Sequence, residues 1–195
     1  MTPDELLDLF RRSGALLEGH FRLTSGLHSP GYLQSALVLQ HPSSAEMLGR
    51  AIADRVRDLR TTVVLSPALG GVVIGHEVGR ALEVRAIFAE RQDGALLLRR
   101  GFRLSERDRV LIVEDVLTTG GSTRETIQVA RAAGASVAGA AAIVDRSGGS
   151  VHFDVPFHAL AEVTLPAYAP DQCPLCATGL PVVKPGSRPV NGERR

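Results

Sequence analysis

The chain has 195 residues and a mass of 20.7 kDa, with 22 basic against 21 acidic residues and a formal charge of +1. That length fits one domain, and burying on the order of 70 % of the unfolded surface lets such a chain fold without disulfide or metal staples. The near-zero charge argues against a nucleic-acid or polybasic membrane binder, and 44 % apolar with 22 % charged residues is the balance of a soluble globular protein.

The opening stretch MTPDELLDLFRRSG is acidic where a secretory signal would be basic, so a soluble, cytoplasmic protein is expected. Thr2 and Glu5 form a capping box, Pro3 suits a first helical turn, and Gly14 is the stop. Residues 19–41 are turn-rich around an apolar run at Ala36–Leu39. Ser43 and Glu46 form a second capping box, and Leu48, Ile52, Val56 and Leu59 follow at helical spacing. The pattern then alternates: strand Thr61–Leu65, loop Ser66–Gly71, helix Val72–Leu82, strand Arg85–Ala89. A hairpin is read between Ala95–Leu98 and Phe102–Leu104. Four aliphatics, Val110–Val113, suit a strand covered on both faces. Ser122 and Glu125 cap a helix to about Ala133, stopped at Gly134, and Val137–Val144 is the next strand. Alternating strands and helices predict an α/β fold with a parallel sheet. From Pro166 onward six prolines occur in 30 residues, which predicts an irregular extension, 166–195, with a disordered tip.

The chemistry concentrates in VLIVEDVLTTGGS, residues 110–122. A buried strand leads into Glu114 and Asp115. The loop Thr118-Thr119-Gly120-Gly121-Ser122 follows and opens a helix. Strand carboxyl ends are where open α/β sheets bind ligands, and loop amides at a helix N-terminus suit an anion. The loop has no lysine, as a triphosphate loop would, and the chain has no GxGxxG fingerprint. Paired carboxylates beside a monophosphate cradle suit a sugar diol, because each oxygen accepts a hydroxyl hydrogen bond. Ribose 5-phosphate offers that combination. An ordinary βα turn with polar residues at the helix start is the plainer alternative.

This segment resembles the phosphoribosyl pyrophosphate (PRPP) signature of type I phosphoribosyltransferases. FRLTSGLHSPGYLQ (21–34), SPALGGVVIG (66–75), AERQDGALLLRRGF (89–102), AAIVDRSGG (141–149) and CPLCATGLPVVKPGSR (173–188) extend the resemblance to the orotate phosphoribosyltransferases of the short bacterial type, over about residues 19–188. The resemblance implies one domain: a central parallel sheet flanked by helices (about 41–165) with a small N-terminal hood (about 1–40). It implies transfer of ribose 5-phosphate from PRPP to orotate in pyrimidine synthesis, dependence on Mg²⁺ held mostly by substrate and water, and a homodimer.

The residues it assigns are as follows. Glu114 and Asp115 take the ribose hydroxyls, and Val116, Leu117 and Thr118–Ser122 hold the 5′-phosphate end of PRPP. Ser66, Ala68, Leu69, Gly70 and Gly71 receive pyrophosphate, with a cis peptide at Ala68–Leu69; an ordinary glycine-rich βα turn is the alternative there. Thr118 and Arg146 contact orotate, Arg146 because a guanidinium binds a carboxylate bidentately. A solvated arginine beside Asp145 is the alternative for Arg146. Residues 24–33 form the hood over the base, with Thr24 where some relatives have lysine. Arg91, Arg99, Arg100, Arg103 and Arg107 lie in the region of a mobile lid. Arg91 binds PRPP there, and Arg99 and Arg100 assist catalysis electrostatically, since relatives use a lysine that this chain lacks. Each could equally be a solvated hairpin arginine. Cys173 and Cys176 read as free thiols. A metal completed by His152 and His158 is the alternative, and His20, His28, His41 and His76 show no convergent partner.

Overall fold

The computed structural model describes residues 1–23 and 25–185. Thr24, the expected disordered tip and the end of the 173–188 motif lie outside the described residues. Helix α1 (Pro3–Arg12) begins at the expected capping box. Glu5 N donates to Thr2 Oγ1 at 3.2 Å, and Thr2 N donates to the Glu5 carboxylate at 2.8 Å. Such a cap contributes about 1 kcal/mol.

The segment after it departs from expectation. Strands β1 (Leu16–Arg22) and β2 (His28–Leu33) pair antiparallel as a separate two-stranded sheet, where the sequence suggests only turns. A short helix α2 (Ser35–Leu39) and the longer α3 (Pro42–Val56) follow. The expected Ser43–Glu46 box does not form. Proline at a first helical position starts α3 at Pro42, and Glu46 instead accepts from Arg50 at 2.7 Å.

The main sheet contains β3 (Val63–Pro67), β4 (Arg85–Gln92), β5 (Ala95–Leu98), β6 (Arg109–Leu117), β7 (Ser136–Asp145) and β8 (Phe157–Glu162), in the order β5-β4-β3-β6-β7-β8. All neighbours are parallel except β4 and β5. The expected pairing of Ala95–Leu98 with Phe102–Leu104 is therefore corrected. β5 folds back on β4 through Asp93-Gly94, with φ of 49° and 89°. Aspartate-glycine is the residue pair such a two-residue hairpin turn demands. Phe102 instead meets Phe88 edge-on, ring centroids 5.1 Å apart.

Helices α4 (Gly70–Leu82) and α5 (Gly121–Ala132) are the crossovers. The strand period of two divides the core cleanly. Val63, Leu65, Val110 and Ile112 face Ile127 and Ala130 of α5. Val64, Leu111, Val113 and Ile143 face the other way, toward Leu48 and Ile52 of α3, Ile74 and Val78 of α4, and Leu6 and Phe10 of α1. Val110–Val113 are all fully buried, each contributing about 1.5–3 kcal/mol relative to exposure. The carboxyl ends of β3, β6 and β7 consequently lie side by side, with the loops 68–69 and 118–120 and Arg146 emerging together.

Beyond β8, among the described residues to 185, the chain is irregular apart from a short turn at Pro170–Gln172 and helix α6 (Pro174–Ala177). It returns to the small sheet. Tyr168 exchanges backbone hydrogen bonds of 2.8 Å with His28, and Val183 N donates to His20 O at 2.8 Å. No helix among the described residues is long and apolar enough to cross a membrane.

Candidate active site

Strand β6 carries Glu114 and Asp115 inside its last turns of pleat rather than after its end. Asp115 accepts from Ser35 Oγ through Oδ2. Its carboxylate also closes on α4: a Cβ at Gly70 would lie 2.6 Å from Asp115 Oδ1. Glycine is required there because nothing larger fits between helix start and carboxylate.

Burial raises the Glu114 carboxyl well above its usual range, and the neighbouring charge of Asp115 adds to this. The stability consequence has a definite sign. The folded chain holds the Glu114 proton more tightly than the unfolded chain does. Stability is therefore highest below the ordinary carboxyl range and falls as pH rises through the raised folded value. Glu114→Gln stays neutral at every pH. In calorimetry it is expected to raise Tm at about pH 8 and leave Tm unchanged at about pH 4. A lower Tm at the alkaline end would contradict this.

The loop after β6 turns at Gly120, with φ of 73°, and α5 begins at Gly121. The expected Ser122 cap is corrected: no side chain caps this helix, so its first amides remain available to an anion. Glu125, the other half of that expected cap, binds Arg91 bidentately at 2.6 and 3.2 Å and accepts from Leu96 N at 2.7 Å. Arg91 is thereby held beside the first turn of α5. Thr118 and Thr119 are exposed, and Gly120 is tucked so close that a Cβ would meet Val151 at 2.6 Å. Arg124 fastens the loop from below, donating to Thr119 O at 3.0 Å and stacking over Phe153 at 5.3 Å.

The peptide Ala68–Leu69 is cis. Leu69 is 79 % exposed, whereas Ser66 is buried beneath α4, where a Cβ at Gly75 would lie 2.0 Å from its Oγ. The Ser66 side chain thus packs strand against helix, and Ala68–Gly71 form the accessible part of the loop.

Arg146 follows β7, its backbone N donating to Leu117 O at 2.8 Å. It is half-buried, its Nε is buried without a partner, and it makes no ion pair among the described residues. The neighbouring Asp145 accepts from Ser147 N at 2.7 Å and makes no ion pair with Arg146. Burial pushes the Arg146 guanidinium down from its usual value, opposed by the nearby Tyr32. The Tyr32 hydroxyl is raised by burial first and then by Asp115, with Arg146 acting oppositely. Tyr32 and Ser35 therefore belong to this cleft: Tyr32 falls within the expected hood segment 24–33 without having been singled out, and Ser35, two residues beyond it, was missed. The signal for Ser35 was only adjacency to the hood motif.

The lid arginines lie apart. Arg100 binds Glu90 through two nitrogens at 2.8 and 2.7 Å and sits over Phe88 at 5.9 Å. That bond is the main cause holding the Glu90 carboxyl below its usual range. Arg103 O accepts from Arg85, which also pairs with Asp108 at 2.9 Å. Arg99 and Arg107 are exposed.

Cys173 and Cys176 are free thiols, as expected. They stand beside His20 and His28, the two histidines for which sequence showed no partner. His152 and His158 are not in that cluster.

The cleft thus combines two carboxylates, an anion-ready helix start, a second glycine loop and an unpaired guanidinium. Residues 35–160 match the family described as phosphoribosyl transferase domain. The orotate phosphoribosyltransferase of Pelotomaculum thermopropionicum is 52 % identical over 190 residues, covering 97 % of this chain and 100 % of its own. That of Heliobacterium modesticaldum is 54 % identical over 190 residues, covering 96 % and 100 %. The crystal structure of orotate phosphoribosyltransferase from Aeropyrum pernix aligns with a TM-score of 0.69 at 25 % identity, over 81 % of this chain and 93 % of that one.

Proposed function

Since this chain belongs to the phosphoribosyl transferase family, and within it to the orotate phosphoribosyltransferases, we infer that the cleft at the carboxyl ends of β3, β6 and β7 is where the two substrates meet. The reaction breaks the bond from the ribose anomeric carbon to pyrophosphate and forms one to N1 of orotate. Its products are orotidine 5′-phosphate and pyrophosphate.

In our reading the amides of Gly120–Ser122 and the hydroxyls of Thr118 and Thr119 hold the 5′-phosphate of PRPP. Val116 and Leu117 set the loop's departure from β6. Asp115, fixed by Ser35, accepts from a ribose hydroxyl. Glu114, with its raised pKa, keeps a proton and can both donate to and accept from the diol. The negative charge left on Asp115 stabilises a developing oxocarbenium ion. Ala68–Gly71 receive pyrophosphate, and Arg146 takes the orotate carboxylate with Tyr32 beside it. The observation that carries this reading is Arg146: a half-buried guanidinium with an orphan Nε calls for a planar anion, and orotate is the base that brings one.

Asp115 would supply a hard carboxylate oxygen that suits Mg²⁺, and Glu114 would do so only on giving up its proton. These residues alone make no dedicated cage, so a bound Mg²⁺ would be held mostly by substrate and water. When bound, magnesium neutralises charge on the leaving group. Arg91 reaches the phosphate side only from its pairing with Glu125, and Arg100 must leave Glu90 to serve as a lid cation. Replacing Arg99 and Arg100 together by alanine is expected to lower kcat by about tenfold or more, the scale of lost charge stabilisation. Unchanged turnover would remove both from the mechanism.

We place the protein in the cytoplasm as a homodimer, the state the family resemblance implies. The exposed Met47 and Val73, 52 % and 45 % accessible on α3 and α4, support a partner on that face. The deciding assay follows orotate absorbance with PRPP and Mg²⁺, using uracil, hypoxanthine, guanine and adenine as controls. Loss of orotate that needs both protein and PRPP is expected. Consumption of a purine instead would overturn the base assignment.

A further inference from the structure

Four side chains outside the catalytic cleft converge where the hood sheet meets the C-terminal segment: His20 on β1, His28 on β2, and Cys173 and Cys176 flanking the start of α6. Their ligand atoms all lie within 4.8 Å of one another. His20 Nε2 is 2.9 Å from His28 Nδ1, 3.5 Å from Cys173 Sγ and 3.8 Å from Cys176 Sγ, and Cys176 Sγ is 3.3 Å from His28 Nδ1. Zinc takes nitrogen at about 2.0–2.1 Å and thiolate at about 2.3 Å, so a tetrahedral site has edges of ~3.3 Å between nitrogens and ~3.5 Å between nitrogen and sulfur. The three nitrogen–sulfur distances bracket that edge, and the nitrogen pair is a few tenths of an ångström short of it.

Proton arithmetic also favours a cation. His20 Nδ1 lies 2.7 Å from Leu180 O and must donate to it, which leaves Nε2 as a lone pair facing inward. One lone pair then faces His28 and both sulfurs at once. It can accept a single hydrogen bond well. A cation at the centre would satisfy all four groups together. The backbone carbonyl behind His20 is the outer partner that ligating histidines commonly have, fixing tautomer and ring orientation. His20, His28 and Cys173 are buried while Cys176 is exposed, so an ion has an entry side.

We propose that His20, His28, Cys173 and Cys176 form a structural zinc site that clamps the C-terminal segment onto the hood. An S₂N₂ tetrahedron is the donor set of zinc. Loading replaces two thiol protons with one Zn²⁺ and releases them to solvent. The four ligands leave no position for substrate, so the ion ties the C-terminal segment to the hood and does no chemistry. The hood segment 25–33 carries the second ligand, His28, and begins five residues after the first. Resting on the functional reading above, loss of the ion is expected to raise KM for orotate more than it changes kcat.

The test uses the full chain purified reduced and without chelator. Elemental analysis is expected to find about one zinc per chain, as a closed four-ligand site requires. Co²⁺ added after zinc removal is expected to give the visible absorption of tetrahedral thiolate-bound cobalt. Chelation is expected to lower Tm. The Cys176→Ser variant, altered at the exposed ligand, is expected to stay folded with its zinc content and cobalt spectrum reduced. Cys173→Ser/Cys176→Ser is expected to lose both. Reduced wild-type chain that takes up neither Zn²⁺ nor Co²⁺ would overturn the site. So would metal content unchanged in both variants, or a native mass two hydrogens short, showing a disulfide. Metal content is read without turnover, so failure of this site and failure of the orotate assignment are separable.

Discussion

Arg146→Ala is expected to lower kcat/KM for orotate by about 10²–10³-fold, the cost of stranding a buried carboxylate without its charged partner. The guanidinium is half-buried, pushed down by desolvation, and holds its Nε where no group among the described residues satisfies it. Such a group is poised for an incoming anion rather than spent on a neighbour. Most of the loss should fall on KM, because the carboxylate is present in ground state and transition state alike. PRPP affinity, read by titration calorimetry, should hardly change, since the phosphate loop lies on β6 and α5. Arg146→Lys should rescue little: a point charge does not reproduce a planar fork. A loss under threefold, or an equal loss of PRPP affinity, would move the orotate carboxylate elsewhere.

The second large effect is at Asp115. Asp115→Asn keeps the volume packed against Gly70 and can still accept from Ser35, but it removes the negative charge nearest the proposed ribose. We expect kcat to fall by about 10²–10³-fold, the scale of losing one preorganised electrostatic partner in a dry site. Tm should stay close to that of the parent. Parallel absorbance assays and thermal melts separate the two quantities. A variant that loses Tm along with turnover would make Asp115 a packing residue, and kcat within threefold of the parent would remove it from catalysis.

Local patterns were legible and distant ones were not. The Thr2–Glu5 box, the aliphatic strand Val110–Val113 and the αβ alternation each rest on residues within a few positions of one another. The structure contains all three. The glycine loop with its two acids could be read for the same reason. Two errors had signals that were available. Asp93-Gly94 is a hairpin turn, and reading it would have paired β5 with β4 rather than with Phe102–Leu104. Pro42 outranks Ser43 as the start of α3. Other features had no local signal. β8 follows Pro156 as a short edge strand, and its membership in the sheet depends on β7. Ser35 enters the cleft only because α2 is brought against β6, a separation of 80 residues. His20 meets Cys173 across 153 residues, a convergence that no spacing rule anticipates. The lid arginines show a different limit: composition marked them as cationic, but whether Arg100 faces solvent or Glu90 depends on the turn of a strand pair.

The hood's dependence on the C-terminal segment also orders events in time. The main sheet ends at Glu162, so its strands can pair before the last stretch of chain has left the ribosome. The two-stranded sheet cannot be completed then, because its outer edges are occupied by Tyr168 and Val183. Contacts of such long sequence separation carry the largest loop-closure cost and form late. A nascent chain should therefore acquire its phosphate loop first and its roof over the base last. Truncated chains ending near residue 165, free of the ribosome, should retain a folded core while failing to enclose a base, so competence for the second substrate arrives only with the segment beyond the main sheet.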